Sequence, residues 1–146
     1  MQYATKNPGA PPADFICQCA ARALADAEGE IVIRIVDETE SAMLNERYRG
    51  KPGPTNVLAF PAGDIAAPGI GTRLLGDVVI CAPVVASEAE SQNKPLEAHW
   101  AHLVIHGCLH LCGYDHESGA DAREMERRER ALLAELGIGD PYRDEA

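Results

Sequence analysis

The chain has 146 residues, of which 46% are hydrophobic, and a formal net charge of -10 at pH 7. This length and apolar content suffice for one domain with its own core, and the acidic balance excludes a protein that coats nucleic acid through a broad basic surface. No segment approaches the roughly 20 apolar residues that span a bilayer, and the N-terminal residues lack an export signal. We therefore expect a soluble protein that is not exported and whose contacts with any nucleic acid are local.

Apolar periodicity and turn residues predict helices at both ends of the chain and strands in its middle. This order indicates an α+β fold, a single domain over residues 1–146 in which a small mixed β-sheet of about four strands packs against helices. Residues 1–29 are a poorly defined N-terminal helix region. The first predicted elements are a helix from Pro12 to Ala27 that ends near Gly29, a strand from Ile31 to Val36, and a helix from Asp37 to Tyr48 capped by Asp37 or Thr39. Strands follow from Asn56 to Phe60 and from Asp77 to Ala82, then helices from Ala82 to Gln92, from Leu96 to Cys112 before Gly113, and from about Ala120 to Leu136.

Three histidines, His106, His110 and His116, stand in an H-x3-H-x5-H spacing within HGCLHLCGYDH. On a helix, positions 106 and 110 lie about 40° apart, so both imidazoles can reach one ion from adjacent turns. Gly113 can take a left-handed conformation that ends the helix and turns the chain, which lets His116 return to the same ion. Three nitrogen ligands leave a fourth position for water, and zinc lowers the pKa of such a water to about 7. The spacing therefore predicts a catalytic site for one divalent metal ion, most simply zinc.

Other residues near these three histidines have more than one interpretation. His99 and His102 lie on the same side of the helix as His106 and could compete as ligands. We favour a hydrogen bond to a ligand, a contact with substrate or packing, because only His116 follows a turn that can complete the set. Asp115 either orients a ligand imidazole or is a solvated turn residue. For the whole group, the alternative is a helix whose histidines line a polar face or are satisfied in the core.

The five cysteines form an odd set, and their C-x-C and C-x3-C spacings match neither a disulfide framework nor a usual zinc ribbon. We predict reduced, mostly buried thiols. Cys108 and Cys112 project about 200° away from the side of the helix that carries His106 and His110. We therefore expect them in the core and not among the ligands.

The span from His106 to His116 resembles the H-E-x-x-H-x-x-G-x-x-H pattern of metzincin peptidases, Gly113 included, and indicates a zincin-like metal helix. Gly107 stands where those enzymes carry their catalytic glutamate. Without a carboxylate beside the metal, peptide hydrolysis lacks the group that deprotonates the attacking water. A zincin-like metallopeptidase is therefore the less favoured alternative.

A closer resemblance is to the bacterial endoribonuclease YbeY family of rRNA maturation factors, whose motif H-G-x-L-H-L-x-G-Y-D-H is matched at every fixed position by HGCLHLCGYDH. The resemblance continues through YRGKPGPTNVLAFP, LLGDVVI and KPLEAHWAH. It departs at Asn56 and Ala59, where many members have Asp and Ser. It implies a cytoplasmic, zinc-dependent, single-strand-specific endoribonuclease that acts with the small ribosomal subunit in 16S rRNA 3′-end maturation and ribosome quality control. The same resemblance assigns one zinc ion per chain to His106, His110 and His116.

The resemblance also assigns a catalytic role to Arg49, in the YRGK segment. A guanidinium offers bidentate hydrogen bonds to phosphate oxygens, so Arg49 could hold the scissile phosphodiester of single-stranded RNA. The alternative is a loop arginine paired with Glu46 or Asp37. Either a metal-activated water or the ribose 2′-OH can serve as the nucleophile. A rival from another class is a non-catalytic, metal-stabilised ribosome assembly factor, in which the three histidines are structural.

Overall fold

The computed structural model of the protein describes residues 2–3, 9–24, 30–61, 74–114 and 118–139. Within these ranges no helix is long and apolar enough to cross a membrane. In chain order the elements are β1 (Gln2–Tyr3), α1 (Ala13–Ala23), β2 (Glu30–Val36), α2 (Glu38–Arg49), β3 (Val57–Pro61), β4 (Leu74–Cys81), α3 (Ala82–Ser91), α4 (Leu96–Leu111) and α5 (Gly119–Glu135).

The four strands form one mixed sheet in the order β1-β2-β4-β3. β2 runs parallel to both β1 and β4, and β3 is antiparallel to β4. β4 therefore has a partner strand on each side, and its residues from Val78 to Cys81 are all buried. A strand that is covered on both faces needs apolar side chains at successive positions, which explains the uninterrupted sequence VVIC.

Alternate residues of β4 point to opposite faces of the sheet. Val78 and Ile80 join the main core, which is completed by the buried sides of α1, α4 and α5. Val79 and Cys81 belong to a smaller apolar cluster, against which Leu44 of α2 packs. The sheet is thus covered by helices on both faces, and α4 lies within the larger of the two cores.

The predicted α+β fold with a small mixed sheet of about four strands is confirmed. β4 begins at Leu74, before the predicted Asp77, and ends at Cys81. The other differences lie near the N-terminus. α1 ends at Ala23 and not at the predicted Ala27, while residues 25–29, including Gly29, lie outside the described residues. β1 has no counterpart among the predicted elements, because two residues cannot show a periodicity. Of the two predicted caps for α2, Asp37 is the one used, since its side chain accepts a 3.1 Å hydrogen bond from the Glu40 amide.

Buried polar side chains hold the loop that follows α2. The Ser41 hydroxyl donates to the carbonyl of Thr55 at 2.9 Å and accepts from its amide at 3.0 Å. The Asn45 side chain donates to the carbonyl of Gly53 at 2.9 Å. These bonds tie the chain leading into β3 to the body of α2, and so fix the C-terminal end of that helix, where Arg49 lies.

α4 packs against the sheet at Gly107. A Cβ atom at this position would lie 2.8 Å from Cγ1 of Val78 and 3.3 Å from Cγ2 of Val57, so only a glycine permits this approach. The helix ends at Leu111, and Gly113 follows with a φ of 99°, which confirms the predicted stop.

All five cysteines are free thiols, as predicted. Cys19, Cys81 and Cys108 are buried, Cys112 is half-buried and Cys17 is exposed. Burial raises the pKa of Cys19 to about 11 and raises the pKa of Cys108 still further. Cys108 belongs to the main core, as the sequence predicted. The prediction is wrong for Cys112, which is half-buried and belongs to neither apolar cluster, because it follows the end of α4.

The thiols should therefore differ sharply in reactivity. We expect an aromatic disulfide reagent to modify one thiol quickly in the native protein, because Cys17 is the only exposed cysteine of the five. Cys17→Ser should remove the fast phase, while Cys19→Ser, two residues away, should leave it. Two or more fast thiols in the native protein would contradict this packing.

A second prediction concerns the close approach at Gly107. We expect Gly107→Ala to lower the free energy of unfolding by about 1–3 kcal/mol through overpacking against Val78, although alanine favours a helix by about 1 kcal/mol over glycine. Gly119→Ala is the matched control, because a Cβ there meets its nearest atom, on Arg123, at an ordinary 3.5 Å. Urea denaturation measures both; equal or higher stability for Gly107→Ala would show that α4 and the sheet are less tightly packed.

Candidate active site

Four histidines form a stripe along α4. His99, His102, His106 and His110 follow one another at intervals of three, four and four residues, which keeps them on one side of the helix. Their neighbouring ring centroids are 6.3, 6.1 and 4.8 Å apart. The closest pair is His106 and His110, whose rings meet edge to face.

The pair His106 and His110 has the adjacency that the sequence predicted for two ligands of one ion. The third predicted ligand, His116, and the neighbouring Asp115 lie outside the described residues. Both rings of the pair line an open cleft and are only half-buried, so an ion could reach them. An imidazole pair with such access suits zinc and similar divalent metals.

A buried carboxylate supports this stripe from behind. Glu129 of α5 is fully buried, and its Oε1 lies 2.7 Å from Nδ1 of His106. Its Oε2 lies 2.8 Å from Nε2 of His102. In its ionised form a carboxylate can only accept hydrogen bonds, and both ring nitrogens are then the donors to Glu129. This contact joins α5 to α4 directly behind the His106–His110 pair.

Glu129 also belongs to a second possible metal-binding group. The donor atoms of His102, His106 and Glu129 all lie within 4.8 Å of one another. However, the carboxylate is within hydrogen-bonding distance of both rings, at 2.7 and 2.8 Å. Two ligand atoms on a tetrahedral zinc ion stand about 3.3 Å apart, so this group would have to open before it could hold one. Its present geometry is that of a hydrogen-bonded triad.

His99 takes part in a similar but separate contact. Its Nε2 lies 2.9 Å from Oε1 of Glu88, and Glu88 also accepts a 3.0 Å hydrogen bond from the amide of Asn56. Burial lowers the pKa of His99, although the hydrogen bond to Glu88 acts in the opposite direction. An amide at position 56 can donate to Glu88, whereas the aspartate that the family resemblance leads one to expect there could not unless it were protonated.

The cleft in front of the His106–His110 pair has a volume of about 670 Å³. It brings the end of α2 and the edge strand β3, which are neighbours in sequence, together with α4, which comes much later in the chain. No carboxylate is among its described lining residues. Those residues are Tyr48, Arg49, residues 55–61, His106, Gly107, His110, Gly113 and Tyr114.

Arg49 lies in this cleft at the last position of α2. The structure thus brings it to the same cavity as the histidine pair, as its predicted role requires. Within the described parts of the chain, Arg49 makes no ion pair with Glu46 or Asp37, the partners that a purely structural role suggested. Its guanidinium is exposed to solvent at the cleft and can meet an anion there.

Aromatic rings lie next to Arg49 in the cleft wall. Tyr48 is 59% exposed, and its ring meets Phe60 edge to face at a centroid distance of 5.2 Å. The guanidinium of Arg47 lies 5.6 Å from the Tyr48 centroid, which adds a second positive charge beside the cleft. The cleft wall beside Arg49 therefore combines positive charge with aromatic surface.

The packing around Gly107 explains why position 107 does not carry the catalytic glutamate of metzincin peptidases. Any side chain at that position would enter the contact between α4 and the strands β3 and β4, where Val78 and Val57 leave no room. The substitution that distinguishes this chain from the metzincin pattern therefore has a packing cause. It leaves the histidine pair without an adjacent general base on α4.

Glu129 is the site residue that the sequence analysis missed. A signal for it is present in α5, because Glu129 lies four residues after Met125 and three and four residues before Leu132 and Leu133, all of which are buried. A charged residue on the apolar face of a helix is rarely buried unless it has a partner. That spacing marks an unusual carboxylate, but only the packing of α5 on α4 shows that histidines are its partners.

Comparison with known proteins identifies both a family and a fold for this chain. The family model of endoribonuclease YbeY matches residues 13–137. The endoribonuclease YbeY of Methylococcus capsulatus is 58% identical over 125 residues, which cover 86% of this chain and 82% of that protein. The solution structure of TM1509 from Thermotoga maritima has the same fold, with a TM-score of 0.55 and 24% identity over 90% of this chain and 91% of that one. By its family-model match and its identity to a curated relative, the chain belongs to the endoribonuclease YbeY family.

Proposed function

We propose that this protein is a zinc-dependent endoribonuclease that cuts single-stranded RNA. In the cell it would act in the cytoplasm with the small ribosomal subunit, in 16S rRNA 3′-end maturation and ribosome quality control, as a single domain over residues 1–146. The observation that carries the proposal is the cleft that joins the His106–His110 pair to Arg49 and has no carboxylate among its described lining residues. Family membership supports RNA as the substrate.

His106, His110 and His116 are the residues we assign to one zinc ion per chain. The edge-to-face contact of the first two and their position at the cleft fit this role. An ion bound there would lower the pKa of a bound water to about 7 and draw charge from a phosphoryl oxygen. Because position 107 has no side chain, α4 offers no carboxylate directly beside His106 for proton transfer.

Arg49 is suited to hold the scissile phosphodiester. Its planar guanidinium can donate two parallel hydrogen bonds to phosphate oxygens and keeps its charge at any pH at which RNA is stable. The same donors would stabilise the additional negative charge of the transition state. We favour water as the nucleophile, which leaves a linear phosphate on one product; attack by the ribose 2′-OH would leave a 2′,3′-cyclic phosphate instead.

The acidic chain can still bind RNA because its positive charge is locally concentrated. Arg47, Arg49 and Lys51 lie together at the end of α2 and in the loop after it, and all three are exposed. Phosphate contacts of this kind position a nucleic acid without reading its sequence. The choice of cleavage site is therefore expected to come from the ribosomal partner and from the accessibility of unpaired RNA.

Removal of the ion tests the metal part of the proposal. Protein purified without a histidine tag should contain about one zinc ion per chain and should lose RNA cleavage on dialysis against a chelator. We expect His110→Ala to lose both zinc and cleavage, because it removes one of the two adjacent imidazoles. His99→Ala is the control on the same stripe and should keep its zinc, since that ring is bonded to Glu88.

These assays, together with a peptidase assay and an analysis of the product ends, also separate the rival functions. A folded, zinc-free protein that binds ribosomal subunits, together with no cleavage in any metal state, would favour a non-catalytic assembly factor. Turnover of casein that a chelator abolishes would favour a metallopeptidase. Product ends that carry 2′,3′-cyclic phosphate would rule out water as the nucleophile.

Arg49 should contribute to catalysis and not to metal binding. We expect Arg49→Ala to reduce cleavage of a single-stranded oligoribonucleotide by about a hundredfold, the typical loss when one donor to the transition state is removed. Arg49→Lys should remain impaired, because a lysine keeps the charge but not the paired donors. Zinc content and melting temperature should be unchanged, because the guanidinium is exposed. Arg127→Ala, which removes an exposed arginine of α5 outside the cleft, is the matched control; an Arg49→Ala protein as active as that control would remove Arg49 from the mechanism.

A further inference from the structure

The carboxylate of Glu129 requires an explanation that the core alone does not give. It lies with none of its surface exposed, on the face of α5 that carries Met125, Leu132 and Leu133. An ionised group in such surroundings is strongly destabilising unless charged or polar partners satisfy it. A leucine or methionine at this position would fill the core without that cost. The contacts of this carboxylate are therefore the feature that can explain its position.

The two oxygens of Glu129 divide their contacts between two rings of the stripe. Oε1 lies 2.7 Å from Nδ1 of His106, and Oε2 lies 2.8 Å from Nε2 of His102. As an ionised carboxylate, Glu129 accepts a hydrogen bond from each ring. With the proton of a neutral ring on Nδ1, the electron pair of His106 is on Nε2. The hydrogen bond thus selects one tautomer of His106 and restricts rotation of its ring. In that tautomer Nε2 is the nitrogen on which an ion would be bound.

We propose that Glu129 is a positioning residue for the metal site. Its buried carboxylate sets the tautomer and orientation of His106 and is itself aligned by His102. This inference rests on the proposed function, because it assumes that His106 is a metal ligand. A carboxylate bonded to the far nitrogen of a ligating histidine makes that ligand more basic and pre-orients it, and loss of such a partner typically weakens metal affinity tenfold to a hundredfold.

The chain provides a matched control in the contact between Glu88 and His99. That pair also joins a carboxylate to a ring of the α4 stripe, at 2.9 Å, but it lies about two turns from His106. Glu88→Gln and Glu129→Gln are the same chemical change at two carboxylate–histidine contacts. Only the second alters a partner of His106.

The first experiment measures zinc affinity by competition with a chromophoric chelator. We expect Glu129→Gln to bind one zinc ion per chain with an affinity about tenfold to a hundredfold lower than the unsubstituted protein, and Glu88→Gln to bind within about twofold of it. Because Glu129 is buried, the melting temperature of the metal-free protein is measured alongside. If Glu129→Gln does not fold, Glu129→Asp keeps the charge while withdrawing the oxygens, and should weaken zinc binding in the same direction.

The second experiment uses the metal-free protein and does not depend on zinc. Nitrogen-15 NMR of the histidine rings should show the Nδ1–H tautomer for His106, with a hydrogen bond to that proton. Glu129→Gln should shift the ring toward a mixture of tautomers, and Glu88→Gln should leave it unchanged. A purely structural role for Glu129 would lower the melting temperature without altering either the His106 tautomer or the zinc affinity, and that result would overturn the inference.

Four further outcomes separate this inference from the rest of the proposal. If Glu129→Gln abolishes zinc binding while His110→Ala retains it, Glu129 is itself a ligand, in the group formed with His102 and His106, and the positioning role is wrong. An oxygen ligand seen by X-ray absorption would overturn the positioning role in the same way. Normal zinc binding without RNA cleavage would contradict the proposed function alone, whereas an unsubstituted protein that binds no zinc would overturn both.

Discussion

The contact between α4 and the sheet at Gly107 is the constraint on which the other features depend. It allows the helix to lie close against Val78 and Val57, with Trp100, Cys108 and Leu109 buried in the main core. The opposite side of the same helix is then the only side left for the polar stripe. A helix packed so closely holds its histidines in fixed positions, and it excludes from position 107 the carboxylate that a peptidase of this pattern requires.

The polar side of α4 has its own organisation. Each of the three histidines from His99 to His106 has a carboxylate partner, supplied by Glu88 of α3 or Glu129 of α5. Because these carboxylates come from neighbouring helices, the hydrogen bonds that orient the rings also join α4 to the helices on either side of it. The same hydrogen bonds therefore orient the candidate ligands and hold the helices together.

The substrate side of the cleft is built from different elements. The end of α2, held to its loop by Ser41 and Asn45, presents Arg49 and the exposed ring of Tyr48 to the same cavity as the histidine pair. Here a chain with a net charge of -10 gathers positive charge and aromatic surface in one place. The cleft thus offers positive charge to the phosphate groups of RNA, although the chain as a whole is acidic.

The sequence by itself determined the elements, the α+β class and the adjacency of His106 and His110, because these depend on spacing within one helix or strand. It also supplied the motif that marks the family. The order of the strands, the two-residue strand β1 and the meeting of Arg49 with the histidines were decided only by tertiary structure, since they join segments far apart in the chain. Glu129 shows the difference most clearly: the sequence places a carboxylate on the buried face of α5, but which rings it orients depends on how α5 packs against α4.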